Sequence, residues 1–326
     1  LFHMVDVASV AEKMFERVVS GHAKKNLKTL YQNEDDLFLS SKIAFLAGLH
    51  DLGKATPPFQ GLWLEGAKKL SAEGLKFPPV NDKTKNHGLM TSSLIFSEFE
   101  STKDKDRLIN QIGRKIAISL GGHHGLMSDC YVWQDFAGHK FFSGSASWLE
   151  ARKELLSDYY KCIYGMDMGE KTLKEAILEA LPKDESLKTL QLNDSFFAFL
   201  SGLVSVADWV GSSTSWFEFY EPDDSTSAID DYLNHSKESA ARAVDNVWPE
   251  ETGEQKMFAN GEELFSYIFP EISQGPRPLQ KKCIDIAPTS NDGKMDSNQI
   301  VIIEAPTGEG KTEAAFYLFD SWQRQN

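Results

Sequence analysis

The residues best able to do chemistry are imidazoles and carboxylates gathered in a few short segments. His50 and Asp51 are adjacent in HDLGK, His87 follows Asn86 in NHG, His123 and His124 are adjacent in GGHHG, and Asp208 ends an apolar stretch in ADWVGS. His3 stands near the start, with Asp6 one helical turn later. Imidazole nitrogen combined with carboxylate oxygen suits the divalent ions Mn, Fe, Co and Ni, with Mg also possible. Two such ions about 3.5–4 Å apart need a bridging ligand, and a carboxylate has two oxygens for the purpose. Asp51 is the candidate bridge. A pair of ions held this way activates water and stabilises the attacking and leaving oxygens of an in-line phosphodiester displacement. Lys54, one turn after His50, points the same way and can neutralise charge building on the phosphate.

Taken singly, these residues have ordinary explanations. A lone histidine on a helix is more often packed or solvated than a ligand, and a His-His pair can cap a helix C-terminus. The inference rests on the set, in which each segment lies on or beside a predicted helix end. His22, His139 and His235 lack such surroundings.

The elements that must position the set are predominantly helical. SKIAFLAGLHDLGK (41–54) reads as an amphipathic helix with the His-Asp pair in its last turn. NHGLMTSSLIFSEF (86–99) opens on an asparagine cap, and residues 107–125 form a helix running into a glycine-rich end. Helical periodicity continues over 145–163, 171–181 and 195–212, and a polar helix is expected over 226–245. Tyr131, Trp133, Phe136, Phe141, Phe142 and Trp148 cluster after the His-His pair. Such aromatics either pack a core or stack on unpaired bases.

The texture changes after about residue 250. Residues 251–275 read as a linker with a short helical stretch, and 276–326 as the start of a parallel α/β unit: a buried strand, a glycine loop and a helix. APTGEGKT (Ala305–Thr312) fits a phosphate-binding loop, except that Ala305 stands at its first glycine. In such a loop Gly308 and Gly310 let backbone N–H groups cradle phosphate, Lys311 reaches the terminal phosphate and Thr312 ligates magnesium. Hydrolysis also needs an acidic ligand on a later strand and arginines from a second lobe, and none lies before Asn326. No ATPase or unwinding activity is therefore expected of these residues. A lone strand and helix start cannot bury a core, so the stretch is expected to be an unfolded stub.

Composition sets the remaining bounds. The 326 residues are 41% hydrophobic, enough for one large domain and part of another. No apolar run is long enough to cross a membrane, and the opening LFHMVDVASVAEKM does not read as a signal peptide. Cys130, Cys162 and Cys283 are scattered and fit a reducing compartment, so a cytoplasmic monomer is expected. The net charge of −14 is the wrong sign for unaided phosphate binding, which local basic groups or bound cations must overcome.

The segments HMVDVASVA, HDLGKATPPFQ, NHGLMTSS, GGHHG and ADWVGS, followed by PRPLQ and IEAPTGEGKTE, resemble the signature helicase–nuclease of type I CRISPR–Cas systems, in its Cascade-recruited, type I-E-like branch. The resemblance covers essentially the whole chain. It implies a mainly α HD-domain helical bundle over 1–250, followed by the truncated start of an α/β RecA-like helicase domain. It implies two divalent metal ions that cleave single-stranded DNA. One would be held by His3, His50, Asp51 and Asp208, and the other by His87, His123 and His124 with Asp51 shared. Lys54 and Ser212 match positions lining the site near the scissile phosphate. PRPLQ resembles the adenine-reading segment of superfamily 2 helicases, with Gln280 at the base, and the full-length helicase would use ATP and Mg. The implied partners are single-stranded DNA and the RNA-guided Cascade complex, which would supply sequence choice through its guide. Two other functions are weighed. An HD phosphohydrolase acting on nucleotides or cyclic dinucleotides shares the chemistry, and the adjoining helicase start speaks against it. A non-catalytic docking module is opposed by seven intact ligand positions.

Overall fold

A computed structural model gives the fold and describes residues 1–77, 86–100, 107–125, 143–183, 186, 188–189, 193–219, 228–249, 256–287 and 301–324. The chain divides into two compact units, Leu1–Glu250 and Glu251–Asn326. Among the described residues every regular element is helical. None of these helices is long and apolar enough to cross a membrane.

The first unit is built around α1 (Phe2–Arg17) and α3 (Asp36–Gly48), with α2 (Gly21–Tyr31) between them in sequence. A 3-10 helix, Leu49–Lys54, continues directly from α3 and leads to α4 (Pro57–Gln60) and α5 (Leu64–Ala72). Then come α6 (His87–Glu100), α7 (Arg107–Gly121), α8 (Ala146–Tyr164), α9 (Leu173–Ala180), α10 (Asp194–Gly211) and α11 (Ala228–Val247). Side-chain caps fix several starts. The Asp35 carboxylate accepts from Leu37 N at 2.9 Å, and Asn193 Oδ1 accepts from Phe196 N at 3.1 Å. Each such cap is worth about 1 kcal/mol.

Segment 41–54 is not one amphipathic helix. From Leu39 to Gly48 only Ser41 escapes burial, because α3 runs through the middle of the bundle and packs on α1, α8, α9 and α10. The tighter 3-10 turn that follows lies against α6. Gly48 marks the change, since a Cβ there would strike the Tyr159 hydroxyl, which lies 3.0 Å from the carbonyls of Ala44 and Phe45.

Two further close approaches bring chemistry-bearing segments together. A Cβ on Gly88 of α6 would collide with the Gly121 carbonyl of α7, and one on Gly121 with Gly88 O and Ser92 Oγ. The ends of these helices therefore meet at backbone distance, which sets His87 beside the turn after α7. Gly53 lies equally close to α6. Trp148 is buried, donates from Nε1 to Lys76 O at 2.9 Å and meets the Phe77 ring edge-on. It packs a core instead of offering a stacking face; the other aromatics of its cluster, and His139, lie outside the described residues.

The second unit comprises α12 (Gly261–Ile268), α13 (Pro278–Ile286) and α14 (Lys311–Gln323). These helices bury a small core of Leu264, Phe265, Cys283, Ala287, Ala314, Tyr317 and Leu318. The described residues of 276–326 are thus not an unfolded stub, because α12 and α13 supply the apolar partners that a lone strand and helix lack. Residues 301–306 form no strand, and Ile302 is 81% exposed. Val301 and Ile303 pack against the small core, but a parallel strand also needs neighbouring strands to pair with, and none is present among the described residues.

Candidate metal centre

The turn that carries the His-Asp pair is held by side-chain hydrogen bonds to its backbone. Thr91 of α6 donates its hydroxyl to His50 O at 2.7 Å and accepts from Gly53 N at 2.8 Å. Thr56 Oγ1 donates to Gly53 O at 2.7 Å, Gln60 Nε2 to Lys54 O at 2.9 Å, and Arg152 Nη1 to Ala55 O at 3.1 Å. Each is a bond that a short 3-10 helix cannot make for itself.

His50 Nδ1 lies 2.9 Å from Ala47 O, and His123 Nδ1 lies 2.7 Å from Leu120 O. A carbonyl accepts, so Nδ1 carries the proton in both rings and each Nε2 presents a lone pair. Those lone pairs face the other candidate ligands. His50 Nε2 is 3.4 Å from Asp208 Oδ1 and 3.6 Å from Asp51 Oδ2. His3 Nε2 is 3.1 Å from Asp208 Oδ1 and 3.4 Å from Asp51 Oδ2. On the other side, His87 Nε2 is 3.3 Å from Asp51 Oδ1, 3.3 Å from His123 Nε2 and 3.0 Å from His124 Nε2. The two oxygens of Asp51 therefore face two different groups of imidazoles. Ser205 on α10 donates to His123 O at 3.0 Å and ties the tandem-histidine turn to the helix that carries Asp208.

Lys54 forms an ion pair with Asp51 Oδ2. A 3-10 helix makes residues i and i+3 eclipse, so its side chain stands directly over that carboxylate. Ser212 caps α10 and donates its hydroxyl to Asp208 Oδ1 at 3.2 Å, so its closest partner is a candidate ligand.

The electrostatics favour cation binding. Burial pushes His87 down to about 4, with Asp51 pulling the other way and Lys54 adding to the fall. Burial and then the nearby His50 push His123 down to about 4 as well. Both rings are neutral near pH 7. Burial opposes ionisation of Asp51, but His50, Lys54 and His3 together hold its carboxyl below the usual range. Asp208, also opposed by burial, is drawn well below that range by the His3 hydrogen bond and by the neighbouring His50 ring. Among the described residues, His50 Nε2 and Asp51 Oδ1 are buried without a hydrogen-bond partner, and Asp51 Oδ2 makes no well-angled hydrogen bond beyond the Lys54 ion pair. An unsatisfied buried polar atom costs about 1–3 kcal/mol. Orphans of this kind, aimed at one another across a set of neutral imidazoles and carboxylates, fit divalent cations. Three overlapping groups have ligand atoms within 4.8 Å of one another: His3, His50 and Asp51; His50, His123 and Asp208; and His87, His123 and His124.

Two residues here escaped sequence reasoning. Thr91, which locks the 3-10 turn, lies in an apolar helix where nothing distinguishes it from its serine neighbours. Trp209, 72% exposed, directly follows Asp208. Its adjacency to a ligand was legible, but its exposure was not.

In the second unit Gly308 and Gly310 take φ of 87° and 80°, the left-handed backbone that favours glycine. Lys311 Nζ donates to Ala305 O at 2.6 Å and Pro306 O at 2.9 Å, and Thr312 is exposed. Gln280 is buried, accepts from Arg277 N at 2.7 Å and donates to Gly310 O at 3.4 Å, which ties the glutamine to the loop.

The sequence profile of the family described as "Cas3, HD domain" matches residues 1–217. The CRISPR-associated endonuclease/helicase Cas3 of Thermus thermophilus is 28% identical over 322 residues, covering 97% of this chain and 30% of the relative. The chain thus spans about a third of the length of that protein. A crystal structure described as a CRISPR-associated protein superposes with a TM-score of 0.58 at 26% identity, covering 99% of this chain and 32% of that one. A structure described as a CRISPR RNA-guided surveillance complex, pre-nicking, shares the fold, with a TM-score of 0.53 at 22% identity over 99% of this chain and 33% of that one. With two-thirds of its length matched by that profile, the chain belongs to the Cas3 HD-domain family.

Proposed function

We propose that the chain is a divalent-metal-dependent nuclease unit that cleaves single-stranded DNA within a helicase–nuclease recruited to an RNA-guided complex. The observation that carries the reading is Asp51, whose two oxygens lie within 3.6 Å of His3, His50 and His87 and whose side chain, among the described residues, has no partner besides these rings and the Lys54 ammonium. His3, His50, Asp51 and Asp208 would hold one cation, and His87, His123 and His124 a second, with Asp51 between them. Divalent cations held there supply Lewis-acid activation of water and neutralise charge at the phosphate.

The chain's own groups do the rest. His50 and His123 keep their Nε2 lone pairs inward because each Nδ1 proton is engaged by a backbone carbonyl. Lys54, about one-third exposed beside Asp51, can reach a non-bridging phosphate oxygen and offset the overall negative charge of the chain. Ser212 fixes the Asp208 carboxylate. Trp209 offers an exposed ring for a base, a contact that needs an unpaired strand and reads no sequence. Absence of base readout suits a partner whose guide RNA has already selected and opened the target. The family membership and the names of the relatives support this assignment.

The test is cleavage of end-labelled single- and double-stranded DNA, alongside mononucleotides and cyclic dinucleotides, with Mn, Co, Ni or Mg added after chelation. The single strand should be cut and chelator should stop the reaction. Turnover of the small nucleotides alone would point instead to a phosphohydrolase.

A further inference from the structure

His50 and His123 are each oriented by a hydrogen bond from Nδ1 to a backbone carbonyl, but His3 Nδ1 makes no hydrogen bond among the described residues. His3 is also the most exposed member of its group, with 29% of its side chain accessible against 0% for His50 and 3% for Asp51. Its position must therefore come from the first turn of α1 itself.

That turn is gripped by α11, which lies beyond the residues matched by the family profile. Asp6, one turn after His3, is buried and accepts a hydrogen bond from Tyr232 Oη at 2.7 Å and another from Ser236 Oγ at 2.8 Å. Ser236 Oγ also lies 3.1 Å from Ser9 Oγ. The ring of Tyr232 packs on Phe2 with centroids 4.4 Å apart. One tyrosine thus touches the residue before His3 through its ring and the residue one turn after it through its hydroxyl. A carboxylate buried with two hydroxyl donors and, among the described residues, no ion pair is an expensive way to join two helices, since apolar side chains would do so without desolvating a charge.

We infer that Asp6, Tyr232 and Ser236 are positioning residues that fix His3 over Asp51 and Asp208, so that α11 completes the first cation pocket. This rests on the metal-centre reading above. Second-layer hydrogen bonds that orient a ligand typically govern affinity by about 10–100-fold. The network should then tune one cation site and leave the other alone.

Manganese titration of the whole chain, with free Mn(II) read by electron paramagnetic resonance, tests this. Tyr232→Phe and Ser236→Ala should each weaken one Mn site by about 10–100-fold, the same site that His3→Ala removes. The site weakened by His124→Ala should keep its affinity. Ser236→Thr, which retains the hydroxyl, should restore binding. If Tyr232→Phe and Ser236→Ala lower the melting temperature of the metal-free protein but leave both Mn affinities intact, the network is merely structural and the inference falls. A wild-type chain that binds no manganese overturns the metal-centre reading itself, an outcome distinct from a variant that fails to change.

Discussion

Gly53→Ala puts one methyl group where the 3-10 turn meets α6, and the consequences can be worked out from distances. The new Cβ would overlap His87 O and lie 2.6 Å from Thr91 N and 2.8 Å from Met90 Cβ. Gly53 does not occupy the left-handed region, so the backbone itself tolerates alanine and the whole effect comes from contact. Relief requires the Thr91 contact to open from 2.6 Å to the 3.4 Å of ordinary packing, and the overlap with His87 O to open further, so the shift is at least about 0.8 Å. The atoms struck are backbone, so no side chain can rotate away. Overpacking of this kind costs about 1–3 kcal/mol, equivalent to a fall of about 2–12 °C in melting temperature for a domain of this size. The functional penalty should reach the upper end of that range, since 100-fold in rate is about 2.7 kcal/mol. The same shift separates Asp51 from His87, now 3.3 Å apart, and strains the Thr91 bonds at 2.7 and 2.8 Å that hold the turn. A misplacement of about 1 Å costs on the order of 100-fold in rate. Melting followed by circular dichroism and single-turnover cleavage of labelled single-stranded DNA measure the two effects. Thr91→Ser keeps the hydroxyl and should stay near wild type, whereas Thr91→Val should resemble Gly53→Ala. A Gly53→Ala protein that melts and cleaves like wild type would refute the idea that this approach sets the ligand spacing.

Two other expectations follow from the same geometry. His87 and His123 titrate near 4 in the fold against about 6.5 when unfolded, so between those values the unfolded chain binds more protons and stability falls as pH drops. Asp51 and Asp208, held below the usual carboxylate range, contribute stability that is lost at still lower pH, in the same direction. The melting temperature of chelated protein should therefore decline from pH 6.5 towards 4; a flat profile would contradict the buried neutral imidazoles. Trp209→Ala should leave folding untouched, because the ring is exposed, and weaken single-strand binding by about 1–3 kcal/mol in fluorescence anisotropy; unchanged binding would remove the stacking role.

Much of the bundle was legible because helical periodicity and caps coincide, as at Asn86, whose Oδ1 accepts from Leu89 N at 3.0 Å at the start of α6. What failed was local. SKIAFLAG followed by LHDLGK has the same apolar spacing whether or not the helix tightens at Leu49, and only contact with α6 and Tyr159 decides it. Individual candidate ligands were visible as residue types, but their convergence depends on glycines 48, 53, 88 and 121, whose role lies in what a Cβ would strike. The polar helix expected over 226–245 gave no sign that Tyr232 and Ser236 turn inward to a buried carboxylate. In the second unit, the stub reading missed that the short helical stretch within 251–275 and the helix after PRPLQ share a core with α14.

The most direct measurement is the number of divalent ions bound per chain, by native mass spectrometry or elemental assay after manganese loading, in wild type and in Asp51→Ala. Two ions in the wild type, with both weakened once Asp51 is gone, are predicted. A wild-type chain with no bound metal, or an Asp51→Ala chain that keeps two ions at unchanged affinity, would contradict the account.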